Sequence, residues 1–495
     1  MRTFNATSML AVVFACSLAL SVSAFAEPHA WPQFRGENAA GIAADDAPLP
    51  VEFGAEKNCL WKTPLPAGHS SPCIWGDRIF LTGYDAAAGK LETLCLDRKT
   101  GKIVWRQRAP AEKIERSHEL GNPAASTAAA DAERVYVYFG SYGLLCYDHA
   151  GTELWKLPLP TPSTRFGTAT SPVLMTDRLL LGIQGAYLLA LDPKTGEQVW
   201  KNSKLPFAPD YSLPVVRVAG DVTEVIVQGM AGMGGGMSAV DIRDGSLRWQ
   251  VSGFAMQPIP TPVLGEGMVF AISFHPIGRS EDRIQLNFNE LLEKYDKNGD
   301  KKLGQDEVPE KLALVSRGDA GGTGDMTFKQ MWGMLDTNKD KMIDAAEWTR
   351  VDLFTGMVNN ALMAFRPGDD GKITSKGIAW KAEKGLPESP SPLYYKGRLY
   401  IVKNGGILSC FNAATGKQHF QKRLEADGSY YASPVAGDGK IYTCSINGIV
   451  AVIEAADELR VVARNDLGES LMGTPAIVDG KLYIRTAGHL YAFGK

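Results

Sequence analysis

LCLDRKTGKIVW, residues 94–105, is the stretch that decides the fold, because the chain keeps returning to it. An apolar run, an Asp, a Gly-containing turn and a second run ending in Trp recur as LCYDHAGTELW (145–155), LALDPKTGEQVW (189–200) and SAVDIRDGSLRW (238–249). Weaker copies are LSCFNAATGKQHF (408–420), with Phe420 in place of Trp, and VAVIEAADELRVV (450–462). Two short apolar segments on either side of an Asp/Gly turn describe a β-hairpin.

Each copy follows a second signature, a Ser/Thr-Pro pair or a near equivalent before an apolar strand. It appears as SSPCIWGDRIFLTG (70–83), TSPVLMTDRLLLG (170–182), PTPVLGEGMVFAIS (260–273), PSPLYYKGRLYIVKN (390–404), ASPVAGDGKIYTCS (432–445) and GTPAIVDGKLYIRTA (473–487). Looser versions occupy 125–140 and 212–229. That makes eight units, most of them 41 to 55 residues apart, with one gap of 130 between Pro262 and Pro392. A period of this size with four short strands per unit specifies an all-β, eight-bladed β-propeller. A single blade cannot bury its apolar face alone, so the blades must stack in a ring. The recurring Trp is expected to dock on the next blade, its N–H capping a backbone carbonyl there. The last unit ends at HLYAFGK (489–495), one strand short. NCLWKTPLP (58–66) supplies the missing strand, so Trp61 is expected to close the ring and hide two sheet edges.

The long gap falls inside the fifth unit. Its strand MVFAISF (268–274) is followed at 360–380 by NALMAFRPGDDGKITSKGIAW, a repeat-like hairpin with a longer turn. The intervening residues, 275–359, form an insertion between neighbouring strands, which loop-closure entropy tolerates. Within it the period becomes helical: IQLNFNELLEKY (284–295) carries one apolar stripe. DKNGDKKLGQDE (296–307) follows, and DTNKDKMIDAAE (336–347) repeats it. Helices are expected at 327–335 and 345–360. In the first loop Asp296, Asn298 and Asp300 take positions 1, 3 and 5, Lys302 offers a backbone carbonyl at 7, and Glu307 takes position 12. The second supplies Asp336, Asn338, Asp340, the Met342 carbonyl, Asp344 at position 9, and Glu347. Oxygen ligands at these spacings wrap a calcium ion in an EF-hand, so two Ca²⁺ sites are expected. Leu303 and Ile343 should pair across the two loops. Position 6 demands a positive φ and is normally Gly; here it is Lys301 and Lys341, which weakens binding. Nearby Met326, Met331, Met334 and Met357 are read as the insert's own core.

The rest of the chain narrows the class. Arg2, the apolar stretch 9–22 and the Ala24-Phe25-Ala26 exit form a signal peptide over 1–26, which implies a secreted, periplasmic or extracellular protein. The mature chain then divides into 27–274, the insert at 275–359, and 360–495. No other stretch is apolar enough to span a membrane. A net charge of −3 over 495 residues offers no basic surface for nucleic acid. Cys95, Cys146 and Cys410 fall where other copies carry Ala190, Ala239 or Ala451, which marks them as small buried residues. One disulfide is left open, with Cys59 and Cys73 as its candidates.

The repeated D-x-x-T-G-x-x-x-W unit resembles the secreted quinoprotein-like propellers, also called the pyrroloquinoline-quinone (PQQ)-like repeat family. The opening WPQFRGENAAG (31–41) is similar to planctomycete-type members. The resemblance implies one of two functions. One branch contains PQQ-dependent dehydrogenases of alcohols and sugars. The other contains non-enzymatic propellers that bind partner proteins. The sequence has no Cys-Cys pair, no C-x-x-C-H and no recognisable cofactor cluster. The expectation is therefore a monomeric calcium-binding scaffold for an unidentified protein on the propeller face, with the quinone oxidoreductase as the alternative. Around the ring axis, His118 with Arg116, Glu119 and Asn122, then Arg165 and Gln257, are the side chains singled out. The glycine-rich 229–239 does not open a helix, so it is no phosphate cradle.

Overall fold

The computed structural model describes residues 29–494 except 165, 176, 233, 257, 276–285, 316–325, 351–359 and 368–376. The expected signal peptide at 1–26, Arg165 and Gln257 therefore lie outside the described residues. Eight antiparallel sheets of four or five strands succeed one another along the chain. The eighth joins Cys59–Pro64 to Ala476–Val478, Lys481–Arg485 and His489–Phe493, so the first and last parts of the chain close the ring.

The register explains the repeat. Within each blade a small residue sits directly across from the bulky one: Cys95 opposite Trp105, Cys146 opposite Trp155, Ala190 opposite Trp200, Ala364 opposite Trp380, Ala492 opposite Trp61. The indole then reaches the following blade. Trp61 donates to Arg98 O (3.1 Å), Trp105 to His149 O (3.0 Å), Trp155 to Pro193 O (3.0 Å), Trp200 to Ile242 O (2.8 Å) and Trp380 to Ala413 O (2.8 Å). Trp249 differs: its N–H turns to Glu224 Oε2 of its own blade (3.1 Å). The turn glycine of the receiving blade lies under the ring. At Gly196 φ is +72° and a methyl would stand 2.7 Å from the Trp155 ring. Gly196→Ala is expected to cost about 2 kcal/mol, left-handed strain plus a ring displacement. At Gly89 φ is also positive but nothing lies within 4 Å. Gly89→Ala should therefore cost only about 1 kcal/mol, the backbone term alone, when the two are compared by denaturant midpoint.

The Ser/Thr-Pro signature builds a second ring. The Ser71 amide donates to Thr127 Oγ1 (2.9 Å) and the Thr127 amide to Ser171 Oγ (2.9 Å). The Leu213 amide donates to Thr261 Oγ1 (3.1 Å), then Thr261 to Ser391, Ser391 to Ser433 and Ser433 to Thr474 (each 3.0 Å). The Thr474 amide returns to Ser71 Oγ (3.0 Å) and closes the circle. Every blade's innermost strand but the third is thus tied to the next by a hydroxyl. Leu213, which has none, interrupts the belt between blades three and four.

The N-terminal segment crosses one mouth of this ring. Pro32 O accepts from Ala130 N (2.7 Å), Gln33 Oε1 from Leu174 N (2.9 Å) and Asn38 Oδ1 from Val216 N (2.8 Å), while Arg35 donates to Pro392 O (2.8 Å). Blades two, three, four and six are held by one strap. A methyl on Gly41 would meet the Arg35 guanidinium at 2.7 Å, so the strap needs glycine there. Burial lowers the Arg35 guanidinium to about 9.

All six described cysteines are free. Cys95, Cys146 and Cys410 are buried, as their register requires. The Cys59–Cys73 bridge does not form: Cys59 lies on the closing strand of blade eight, and the fully buried Cys73 donates its S–H to Pro32 O (3.2 Å).

The strands Met268–Ser273 and Ala361–Phe365 pair directly, and the chain between them leaves the sheet. Asn360 clamps the base, its amide accepting from His275 N (2.8 Å) and donating to His275 O (3.1 Å). The first described helix is Phe288–Tyr295. The helix expected at 327–335 shrinks to Trp332–Leu335, because Met326–Thr327 pairs as a strand with Ala313–Val315. The last helix is described over 345–350. Phe288, Leu303, Phe328, Trp332, Ile343 and Trp348 make the insert's core.

Candidate metal centre and central funnel

The two acidic loops fold alike. Leu303 faces Ile343 across a two-residue ladder, as the spacing requires. Backbone amides set each carboxylate. Asp296 Oδ2 accepts from Lys301 N (2.9 Å) and Asp336 Oδ2 from Lys341 N (3.0 Å). Asn298 Oδ1 accepts from Asp300 N and Asn338 Oδ1 from Asp340 N (each 2.8 Å). Asp300 Oδ1 accepts from Lys302 N (2.8 Å) and Asp340 Oδ1 from Met342 N (2.9 Å). Glu307 Oε1 accepts from Lys297 N (3.0 Å) and Glu347 Oε1 from Thr337 N (2.8 Å), so each loop's last residue folds back over its first. Lys301 and Lys341 do adopt positive φ, 63° and 66°.

The loops then diverge. Among the described residues, a group of carboxylates close enough to share an ion forms in the second loop: one ligand atom each of Asp336, Asp340 and Glu347 lies within 4.8 Å of the others. Asp336 and Glu347 are buried, at 8% and 3% exposure, and Asp336 Oδ1 has no hydrogen-bond partner. Asp344 Oδ1 instead accepts from Glu347 N (2.9 Å) and caps the helix that follows. The Lys302 ammonium of the first loop reaches Asp340 Oδ2 of the second at 3.2 Å. With the Met342 amide, it holds the Asp340 carboxyl below its usual range.

The second candidate is the ring's centre, a cavity of about 800 Å³. Phe34 of the strap lines it, as do the belt hydroxyls of Ser71, Thr127, Ser171, Thr261, Ser391, Ser433 and Thr474. Gln330, Met331 and Met334 of the insert line it too. Met331 belongs to the insert's core as well, but Met334 is 53% exposed and serves the funnel rather than that core. Met357 and the Met326 side chain lie outside the described residues.

Of the loop residues singled out from sequence, Asn122 lines the funnel and its Oδ1 accepts from Ala124 N (2.8 Å). His118 meets Phe166 edge-on, ring centroids 5.2 Å apart, while Arg116 and Glu119 are exposed and do not line the cavity. The consequential neighbours were not legible. Glu115 Oε2 accepts from Thr168 Oγ1 (2.7 Å), and burial raises its carboxyl. Asp210, beside the funnel residue Tyr211, is raised by burial to about 7. His69 is lowered to about 4, by burial and then by Arg485. A histidine depressed in the folded state contributes stability that is intact above pH 6.5 and is lost as pH falls from 6.5 through 4. The expected loss is about 2–3 kcal/mol, and His69→Gln should flatten that limb of the pH–stability curve.

Residues 54–210 and 360–493, more than half of the chain, match the family model described as outer membrane protein assembly factor BamB. The chain belongs to the BamB family. Outer membrane protein assembly factor BamB of Bordetella pertussis is 21% identical over 199 residues, 32% of this chain and 50% of that protein. The chain thus spans about half the length of that curated relative. Among solved structures, BamB from Moraxella catarrhalis superposes with TM-score 0.51 at 12% identity, covering 88% of this chain and 98% of that one. A europium-containing methanol dehydrogenase gives 0.53 at 12% identity, covering 94% and 98%. The quinohemoprotein alcohol dehydrogenase of Comamonas testosteroni gives 0.52 at 12% identity, covering 94% and 81%. At these identities the likeness is one of fold, shared by the BamB proteins and the quinone dehydrogenases.

Proposed function

We propose that the chain is a secreted, calcium-binding member of the BamB family that acts as a monomeric protein-interaction scaffold in the periplasm or outside the cell. The observation that carries the calcium reading is Asp336 Oδ1, a buried carboxylate oxygen in a cluster of three carboxylates, with no donor of its own. Three carboxylates this close repel one another, the Lys302 ammonium answers that repulsion at Asp340 but not at Asp336 Oδ1, and oxygen-rich loops of this length suit calcium. Asp336, Asn338, Asp340, the Met342 carbonyl, Asp344 and Glu347 would hold one ion. Asp296, Asn298, Asp300, the Lys302 carbonyl and Glu307 would hold a second. The A-x-A exit at 24–26 supports secretion, and 31–41 supports the planctomycete-type branch. The scaffold role is supported by the relative named as an assembly factor, with the partner on the propeller face. Calorimetric titration of the mature chain should give two ions with Kd about 10⁻⁴–10⁻³ M, and no heat at tenfold higher calcium would sink the reading.

The alternative, a PQQ-dependent oxidoreductase of alcohols or sugars, draws on the dehydrogenase likeness. PQQ carries three carboxylates and needs cations around it. Among the described residues lining the funnel there is no Lys or Arg, and Glu388 lines it. The described lining does not fit the group. Tryptophan quenching that saturates at micromolar PQQ would reverse this conclusion.

A further inference from the structure

Two elements outside the blade repeat line the funnel. Phe34 of the strap forms its floor, and Gln330, Met331 and Met334 of the insert reach its opposite mouth. A volume of about 800 Å³ lies within the range of small-molecule sites. Its wall combines apolar faces, Phe166, Tyr211, Met256 and Met472 among them, with the hydroxyl belt. No Lys or Arg is among the described lining residues. Three ionisable groups at or near it are pushed toward their neutral forms, His69 down and Glu115 and Asp210 up, each chiefly by burial, while Glu388 is the carboxylate of the lining itself. Its described lining offers an anionic guest no cation to repay desolvation, and its apolar faces and hydroxyls suit an apolar body with a few hydrogen-bonding groups.

We propose that the funnel is a binding site for an uncharged, largely apolar small molecule, and that the described turn of helix at 331–335 is its lid. The lid and the metal centre are one piece of chain. Met331 and Met334 lie on the turn of helix that ends at Asp336, whose amide donates to Trp332 O (2.8 Å). An ion that draws Asp336 toward Asp340 and Glu347 pulls on the helix end carrying Met334. Ion binding and funnel access are therefore linked, and linkage acts equally in both directions. The lid clause rests on the calcium reading; the site itself does not.

The test uses the full mature chain and the uncharged fluorescent probe N-phenyl-1-naphthylamine, first with a chelator present. A saturable fluorescence rise is expected. Ala125→Trp, which places an indole on a partly exposed lining position, should weaken it about tenfold by filling the cavity. Met472→Trp serves if that variant fails to fold. No saturable rise, or one that the folded variant leaves unchanged, overturns the site. Millimolar calcium should then slow probe dissociation about threefold, and Glu347→Gln should remove that difference. If calorimetry shows calcium bound and the dissociation rate does not change, the lid is overturned while the site stands. Absent calorimetric heat, with the probe still bound, marks failure of the calcium reading instead.

Discussion

Trp61→Ala is expected to cost about 3–4 kcal/mol, at the low end for a large aromatic because the ring is half-buried. Trp61 does at the ring's junction what other tryptophans do within the chain. It donates to Arg98 O (3.1 Å), sits 6.1 Å from the Tyr483 ring, and covers Gly101, where a methyl would approach within 2.5 Å. The neighbouring Thr63 Oγ1 adds a bond to Gly101 O (2.7 Å). Blade eight takes its outer strand from this segment, which pairs with His489–Phe493 from the far end of the fold. Trp380→Ala is the informative comparison. It removes the same kind of contact, to Ala413 O, from a blade whose four strands are otherwise connected through the chain. Both variants should lose stability in guanidinium. Trp61→Ala should in addition expose residues 29–58 to limited proteolysis. Protection of that segment equal to the wild type would show that the strap, and not the Trp61 strand, closes the ring.

Glu347→Gln is expected to weaken calcium binding at the second loop by at least about a hundredfold, close to 3 kcal/mol. Glu347 Oε1 gathers the Thr337 and Asn338 amides (2.8 and 3.1 Å), and Oε2 takes the Asp344 amide (3.2 Å). An amide side chain turns one of these acceptors into a donor aimed at other donors, and it removes the charge the ion needs. Lys341→Gly should do the reverse. It relieves a φ of 66° and takes a positive charge from the loop, tightening binding by about 1 kcal/mol, roughly fivefold. Calorimetry reads both. Equal affinity in wild type and Glu347→Gln would show that the second loop is not a calcium site.

Much of this was legible because it is local or periodic. The Asp, the turn Gly and the Trp recur at fixed offsets, and each offset encodes one contact to the next blade. The Ala or Cys across from each Trp, and hence the fate of Cys95, Cys146 and Cys410, followed from the same alignment. The loop carboxylates were legible because a loop's ligands lie within twelve residues of one another. The open Cys59–Cys73 pairing shows the limit, since spacing says nothing about which blade a strand joins. The helix expected over 327–335 failed in its first half for a related reason. Met326–Thr327 found a strand partner in Ala313–Val315, and a tertiary pairing overrode a local pattern.

The sequence by itself determined the number of blades, the closing strand, the place where the insert leaves the ring, and the order of the carboxylates and amides along both loops. Each of these is a one-dimensional property, a period or a short spacing, and the chain carries it wherever it folds. Tertiary structure alone decided that the Ser/Thr-Pro hydroxyls join into a belt and that residues 30–43 cross beneath it. It also decided that Glu115, Asp210 and His69 meet a wall that shifts their protonation, and that Met334 looks into the funnel rather than into the insert. Those facts depend on side chains separated by up to four hundred residues, whose meeting is fixed by ring closure and by which groups lose their water when the blades stack.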